Sequence, residues 1–357
     1  MANQKAIHYN LDKIDKICAR INLIYGERSN GKSYQVKQTV LENAYKNNMK
    51  FIYLRRWKED VRQKAVTSYF EDMNIEKITN KEYNCITTYN GSMYFTKKDN
   101  EDNIVSKKEI GRYCALNEAE RYKSQVFKDY KYIVYEEFIT DSVYLANEPT
   151  ILQQFVSTVA RDKKVTVFLI GNTLSRVCPY FNEWCLDGVL KQKIGTIEIY
   201  HHHVKDKIID IAVEYCGEVD INNTMFFGNT SKQIISGEWD TIDVPKLPRK
   251  QFEYDKVYEV LVEHQMFKFV LELLVEPLNG GLIVYIYPYS KKRRIDRIIS
   301  TRFSDNPMIS AKLDMNRKAE YLISECFKKG KVCYSDNMTG SDFKKVNEQF
   351  KIGSLVV

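Results

Sequence analysis

The chain has 357 residues, a length that favours two domains. Of these residues 44% are hydrophobic and 13% aromatic, a composition that excludes an intrinsically disordered protein. Its net charge of +7 favours a polyanionic partner without identifying one. The eight cysteines contain no CxxC pair and no apolar run approaches membrane-spanning length, so we expect reduced thiols, a cytosolic protein and no membrane partner.

The first informative motif is the glycine-bounded segment at residues 26–33, which fits the phosphate-binding pattern G-x-x-x-x-G-K-[ST] without a mismatch. An apolar, β-rich run precedes it and a segment with helical spacing follows it. In that context we expect Lys32 to reach the β- and γ-phosphates of ATP and the Ser33 hydroxyl to ligate Mg²⁺. A chance match in a glycine-containing turn is the alternative. The predicted nucleotide contacts are Gly26, Arg28, Ser29, Asn30, Gly31, Lys32 and Ser33.

A second predicted strand, at residues 49–54, is followed by three cations, Arg55, Arg56 and Lys58. Because α/β proteins bind ligands at the carboxyl ends of their strands, these cations could face nucleic-acid phosphates or a neighbouring subunit. A solvated strand end is the alternative. The next elements expected from the pattern are a helix at residues 61–73, a hairpin turning at Asn90-Gly91 and a charged loop at residues 98–108.

An apolar run that ends in two acids, at residues 132–138, has the form of the second half of a P-loop enzyme. We expect Glu136 to hold Mg²⁺, directly or through water, and Glu137 to polarise the attacking water. The metal-holding acid is usually Asp, so Glu136 departs from the common pattern. A buried strand whose solvent end happens to be acidic is the alternative.

The next predicted helix covers residues 150–162, and a buried strand follows at residues 165–170. Asn172, just beyond that strand, is a candidate sensor of the γ-phosphate, with a turn residue after a glycine as the alternative. In a sensor arrangement, this strand lies between the P-loop strand and the acidic strand. A fifth core strand is expected at residues 195–200. The three histidines at 201–203 would alternate between the faces of a strand, so we do not expect them to share a zinc ion.

Residues 206–250 are a polar stretch interrupted by Asn, Gly and Pro, which predicts a linker. It would connect a domain at residues 1–205 with a domain at residues 251–357. The second domain should be a small α+β domain. Its strands are expected at residues 256–263, 267–276, 281–289 and 297–303, and its helices at residues 316–329 and 341–350.

The densest basic cluster lies in this second domain. It could contact nucleic-acid phosphates, and a solvated loop between strands is the alternative. No compact carboxylate group typical of a two-metal nuclease stands out. The cluster consists of Lys291, Lys292, Arg293 and Arg294.

Taken together, the motifs resemble those of the DNA-packaging ATPases of small tailed phages of the phi29 type, which drive double-stranded DNA into a prohead. The similarity covers roughly the first 200 residues in order. It rests on GERSNGKS at residues 26–33, FIYLRRWK at 51–58, YIVYEEF at 132–138, and the Gly171-Asn172 turn followed by Pro179-Tyr180-Phe181.

This resemblance implies an α/β P-loop NTPase domain of the additional-strand catalytic glutamate (ASCE), RecA-like class, followed by a small α+β, RNase H-like domain that is a vestigial nuclease. Its implied residue roles are phosphate and Mg²⁺ binding for Lys32 and Ser33, metal support for Glu136 and general base for Glu137. Family members also use a cation from the neighbouring subunit, and Arg161, near the end of the helix before the sensor strand, is the first candidate. Further candidates are Arg55, Arg56 and Lys58.

The leading expectation is therefore an ATP-hydrolysing motor that translocates double-stranded viral DNA. The implied partners are DNA, further copies of the chain in a pentameric ring, the portal or prohead, and a packaging RNA if the motor uses one. The expected location is the host cytoplasm, with transient docking on the prohead. Two alternatives stay open, a terminase-like nuclease with an accessory ATPase and a nucleotide-gated scaffold with little turnover. Two adjacent acids argue against the scaffold, because a pure switch has little need of a catalytic carboxylate.

Overall fold

The computed structural model of the chain divides into two compact units, each with its own sheet. The first unit consists of Met1–Leu174 and Cys178–Trp239, and the second of Ser175–Val177 and Asp240–Val357. None of the helices in the described part of the chain combines the length and the apolar character that crossing a membrane requires. The described residues are 8–161, 163–217, 238–278, 280–290, 295–301 and 305–350.

A nine-stranded sheet organises the first unit. Its central strands are buried along almost their whole length, as expected where both faces of a parallel sheet are covered. The strands are β1 (Ile21–Gly26), β2 (Lys50–Arg55), β3 (Cys85–Tyr89), β4 (Ser92–Lys98), β5 (Ile104–Ala115), β6 (Tyr130–Glu136), β7 (Thr166–Asn172), β8 (Thr196–Val204) and β9 (Lys207–Tyr215).

Six α-helices of the first unit are described. In α2, Val36, Val40 and Ala44 are buried at intervals of four residues, so one stripe of the helix packs against the sheet. The helices are α1 (Asp12–Asp15), α2 (Lys32–Lys46), α3 (Gln63–Tyr69), α4 (Ile75–Ile78), α5 (Glu148–Ala160) and α6 (Pro179–Glu183). Short 3-10 helices cover Lys58–Val61, Leu116–Tyr122 and Val189–Lys191.

The strand order is β3-β4-β5-β2-β6-β7-β1-β9-β8. The six strands from β5 to β9 in this order run parallel to one another, while β3, β4 and β8 pair in antiparallel fashion at the two ends. The prediction that the sensor strand lies between the P-loop strand and the acidic strand is confirmed, because β7 pairs with β1 on one side and with β6 on the other. The hairpin predicted at Asn90-Gly91 is confirmed as well.

Three predictions for this unit need correction. The charged segment at 98–108 is not all loop, because β5 begins at Ile104 and its charged half pairs only with β4. Residues 207–215 are not linker but form β9, whose pairing with the distant β1 no local pattern reveals. The predicted fifth core strand is instead the edge strand β8, which pairs with β9 alone among the described strands.

A six-stranded sheet organises the second unit, in the order β14-β13-β10-β11-β12-β15. The predicted small α+β domain is confirmed: an antiparallel meander is extended by parallel strands on both sides. The basic cluster predicted at 291–294 lies outside the described residues. The strands are β10 (Asp255–His264), β11 (Phe267–Val275), β12 (Leu282–Pro288), β13 (Arg297–Ser300), β14 (Ile309–Ser310) and β15 (Val332–Tyr334), and the helices are α7 (Lys318–Lys328) and α8 (Asn337–Phe350).

Candidate active site

Two glycines shape the loop between β1 and α2. Gly26 has a φ of 151°, and a Cβ placed there would lie 3.0 Å from the Cβ of Cys216, so a side chain would be strained and crowded at this position. Gly31 has a φ of 95° and immediately precedes α2. Such a left-handed turn is accessible to glycine at little cost. The N-terminus of α2 is thereby turned toward the loop, an arrangement suited to binding an anion.

Lys32 is buried inside this loop. Its Nζ donates to the carbonyl oxygens of Glu27 and Gly26, the latter over 3.4 Å, and to Asn30 Oδ1 over 3.2 Å. It also donates to Asn172 Oδ1, at the end of β7, over 3.3 Å. Burial lowers the pKa of Lys32, because desolvation disfavours its charged form. The predicted phosphate-binding lysine and the predicted sensor residue are thus in contact.

The next residue, Ser33, contacts the first acid of the predicted pair. Ser33 Oγ donates to Glu136 Oε2 over 3.1 Å, and the Tyr69 hydroxyl donates to Glu136 Oε1. Glu136 is buried, and desolvation raises its pKa. A hydroxyl and a carboxylate oxygen are ligands suited to Mg²⁺, so Ser33 and Glu136 fit the metal role predicted for them.

The second acid, Glu137, lies just beyond β6 in a left-handed conformation with a φ of 60°. Its side chain is exposed, and its Oε2 accepts a hydrogen bond from Arg55 Nη2 over 2.6 Å. The same Arg55 nitrogen lies 3.5 Å from Asp60 Oδ2. The cation at the end of β2 thus binds the predicted general base.

Arg56, predicted as a contact for nucleic acid or a neighbouring subunit, does not fit either role. Its side chain is buried and forms an ion pair with Glu148 over 2.7 Å. A guanidinium enclosed in this way cannot reach a phosphate backbone without breaking the pair. Lys58, in contrast, has an exposed side chain and lies 2.9 Å from Glu118 Oε1, so its predicted role stays a prediction.

Arg161 follows the last residue of α5. It has a φ of 39°, and its Nη2 donates to the carbonyl oxygen of Gln125 over 3.0 Å. Arg161 lies before Thr166, the first residue of β7, whereas Asn172 is the last residue of that strand. The two ends of β7 are about 20 Å apart. Arg161 is therefore remote from the loop of its own chain, and its predicted role requires a neighbouring copy.

Sequence reasoning missed two residues of this region, Tyr69 and Glu148. Tyr69 is one of 25 tyrosines, and nothing in its local pattern connects it with Glu136. Glu148 precedes a proline at a predicted helix start, which indicates a helix N-terminus but not a buried acid. Among the described residues, no group of three or more His, Cys, Asp or Glu could hold a metal ion.

Residues 3–213 match the model of a protein family described as podovirus DNA encapsidation protein (Gp16). Over 181 residues the chain is 28% identical to the DNA packaging proteins of Bacillus phages PZA and phi29. These alignments cover 50% of this chain, and the chain spans about half the length of each relative (50%).

Two solved structures resemble the whole fold. One is the bacteriophage phi-29 viral genome packaging motor assembly, with a TM-score of 0.58 and 19% identity over 97% of this chain and 100% of that one. The other is the phi-28 gp11 DNA packaging motor, with a TM-score of 0.51 and 18% identity over 96% and 98% of the two chains. At such identities the similarity establishes the fold alone. The predicted fold class is confirmed for the first unit, whose large, mostly parallel sheet fits a P-loop ATPase fold, and the second unit is the predicted small α+β domain. Its RNase H-like character stays a prediction.

Proposed function

The chain belongs to the podovirus DNA encapsidation protein (Gp16) family, and on this premise we propose that it is an ATP-hydrolysing motor that moves double-stranded viral DNA into a prohead. One observation carries the proposal: Lys32 contacts Asn172, and Ser33 contacts Glu136, at the carboxyl ends of neighbouring strands. Two of its relatives are named DNA packaging proteins, which supports the same substrate.

In the proposed site, Lys32 and the backbone N–H groups of the loop bind the β- and γ-phosphates. Ser33 and Glu136 would hold Mg²⁺, which neutralises phosphate charge when bound. Asn172 would contact the terminal phosphate from the neighbouring strand. The hydrogen bond between Lys32 and Asn172 supports this assignment, because a sensor must lie beside the group that binds the same phosphate.

Glu137 is proposed as the general base that accepts a proton from the attacking water. One of its carboxylate oxygens, Oε2, is occupied by the hydrogen bond from Arg55 Nη2 over 2.6 Å. We propose that this bond opens when Glu137 turns to the attacking water. Arg55 in this way restrains hydrolysis until the site is engaged.

We further propose that the subunits form a ring, a pentamer by family resemblance, and that Arg161 completes the site of the neighbouring copy. The distance of Arg161 from its own loop supports action between copies. Mixing Arg161→Ala with Lys32→Ala tests it: each variant alone should be inactive, and the mixture should recover part of the wild-type rate. A mixture that stays as inactive as its parts would contradict a shared site.

The DNA contacts are proposed to be electrostatic and independent of base sequence. Binding through such contacts weakens steeply with salt because counterions are released. The candidates are Lys58, Lys291, Lys292, Arg293 and Arg294.

The RNase H-like domain would serve as a docking domain for the portal, the prohead or a packaging RNA. An uncut plasmid after incubation with Mn²⁺ is expected, whereas cleavage would favour the nuclease alternative.

ATP hydrolysis measured with and without duplex DNA tests the central proposal. We expect hydrolysis that DNA stimulates, that high salt suppresses, and that Lys32→Ala abolishes. Light scattering on the same samples should give the mass of a ring. Nucleotide binding without DNA-stimulated turnover would favour the nucleotide-gated scaffold instead.

A further inference from the structure

A buried ion pair lies directly behind the turn that carries Glu137. Arg56, the residue after β2, is 5% exposed, and Glu148, the first residue of α5, is fully buried. Arg56 Nε and Nη2 donate to the two carboxylate oxygens of Glu148 over 2.7 and 3.0 Å. Stability alone is a weak explanation for such a pair, because the cost of removing two charges from water offsets their attraction.

The same guanidinium also holds the backbone of the turn. Arg56 Nη1 donates to the carbonyl oxygen of Glu137 over 3.1 Å, and Nη2 donates to that of Phe138 over 3.0 Å. The left-handed φ of 60° at Glu137 costs roughly 1–3 kcal/mol for a residue other than glycine, and it persists only where the surroundings fix it. The Glu137 side chain is exposed and meets Arg55 at its carboxylate, so the backbone turn sets the direction of the Cα–Cβ bond and with it the region that the carboxylate can reach.

Glu148 in turn fixes the plane of the guanidinium. Its carboxylate also accepts hydrogen bonds from the hydroxyls of Tyr135 and Tyr180, over 2.7 and 2.9 Å, and from the backbone N–H of Leu145 over 2.9 Å. The ring of Tyr144 lies 4.8 Å from the guanidinium carbon. A planar fork can serve a carboxylate and two carbonyl groups at once, whereas a lysine ammonium is a point charge without that geometry.

We propose that Arg56, oriented by Glu148, is a positioning residue that holds the Glu137 turn so that the carboxylate can reach the attacking water. The inference rests on the proposed function, in which Glu137 is the general base. Two consecutive arginines then act on different parts of one residue. Arg55 binds its carboxylate, and Arg56 binds its carbonyl oxygen.

Arg56→Lys tests the inference, because it keeps the charge and removes the fork. We expect kcat to fall by about tenfold or more. The upper limit is roughly 10²-fold, the loss that a small misplacement of a reacting group can cause. The Kd for an ATP analogue should change less than twofold. Glu148→Gln should produce a smaller loss of the same kind. The control is Lys50→Met, which breaks an ion pair with Glu109 at the other end of β2 and should leave kcat within twofold of wild type.

A double-mutant cycle separates positioning from a general loss of structure. In a Glu137→Gln background, Arg56→Lys should leave the residual single-turnover rate unchanged, because the group that it positions is gone. An equal further loss in that background would overturn the inference. If Arg56→Lys does not fold, the same cycle is run with Glu148→Gln and Tyr180→Phe.

The same experiment tells the two proposals apart. If Glu137→Gln hydrolyses ATP near the wild-type rate, the proposed base is wrong and the positioning role falls with it. If Glu137→Gln is inactive while Arg56→Lys keeps wild-type kcat, the base stands and only the positioning role is overturned.

Discussion

Buried carboxylates occur in both units, but they have different surroundings. In the first unit, Glu136 lies at the carboxyl end of β6, where its partners are the neutral hydroxyls of Ser33 and Tyr69. In the second unit, Glu259 and Glu272 lie opposite each other in the interior of β10 and β11. These two acids have polar and charged partners from their own unit.

The two regions differ in the hydrogen-bond partners of their acids and in the place of each acid in its strand. Glu272 accepts hydrogen bonds from Gln251 Nε2 over 2.5 Å and from the Tyr287 hydroxyl over 2.6 Å, and Glu259 pairs with Lys256 over 3.0 Å. The carboxylate oxygens of these acids therefore have hydrogen-bond partners within the sheet. At the end of β6, a hydroxyl and a carboxylate meet beside the loop that we propose binds phosphate. The position of an acid in its strand thus separates a chemical role from a structural one.

The largest expected effect is that of Glu137→Gln. Glutamine keeps the shape of the side chain but cannot accept the proton of water, so hydrolysis should fall by about 10³-fold. Binding of a fluorescent ATP analogue should stay within a few-fold of wild type. Rapid-quench measurement of phosphate release gives the rate. A rate near that of the wild type would show that Glu137 is not the general base.

A smaller effect is expected from Tyr69→Phe. The change removes one donor to Glu136 while keeping the ring, which stacks on Tyr53 at 4.4 Å. Loss of an outer-shell partner typically weakens metal binding by about 10–100-fold, so the Mg²⁺ concentration for half-maximal nucleotide binding should rise about tenfold. Tyr45→Phe is the matched control, because it removes a hydroxyl at the other end of α2 that donates to Glu82, and it should leave the Mg²⁺ requirement unchanged. An unchanged requirement in Tyr69→Phe would show that this hydroxyl does not orient Glu136, the proposed metal ligand.

Sequence predicted the groups that stand at strand ends better than the groups behind them. Glu136 and Asn172 end buried strands and Lys32 follows the loop after one, so the order of strands brings them together at one sheet edge. The burial of Glu148 depends on tertiary neighbours that local patterns do not contain. Arg55 and Arg56 are consecutive and must diverge, yet sequence does not say which of them is buried.

The pairing of β9 with β1 was unpredictable for the same reason. The strand segment at 207–215 contains acids at Asp210 and Glu214, which made it look like part of a polar connector. Glu214 is buried all the same, and it accepts a hydrogen bond from the Tyr9 hydroxyl over 2.7 Å. Its partner is 205 residues away in sequence, so no window of local pattern includes both.

The smallest effect on hydrolysis is expected from Glu272→Gln in the second unit. Glutamine keeps one acceptor oxygen and replaces the other with an N–H₂ donor, so the Tyr287 hydroxyl or Gln251 loses its carboxylate acceptor and unfolding should become easier by about 1–3 kcal/mol. The rate of ATP hydrolysis should stay within twofold of wild type, because this acid lies in the interior of the second sheet. Thermal unfolding and DNA-stimulated hydrolysis of the same preparation measure the two quantities. A stable variant that had lost hydrolysis would show that a mid-strand acid of the second unit takes part in the chemistry, and the distinction between strand end and strand interior would fail.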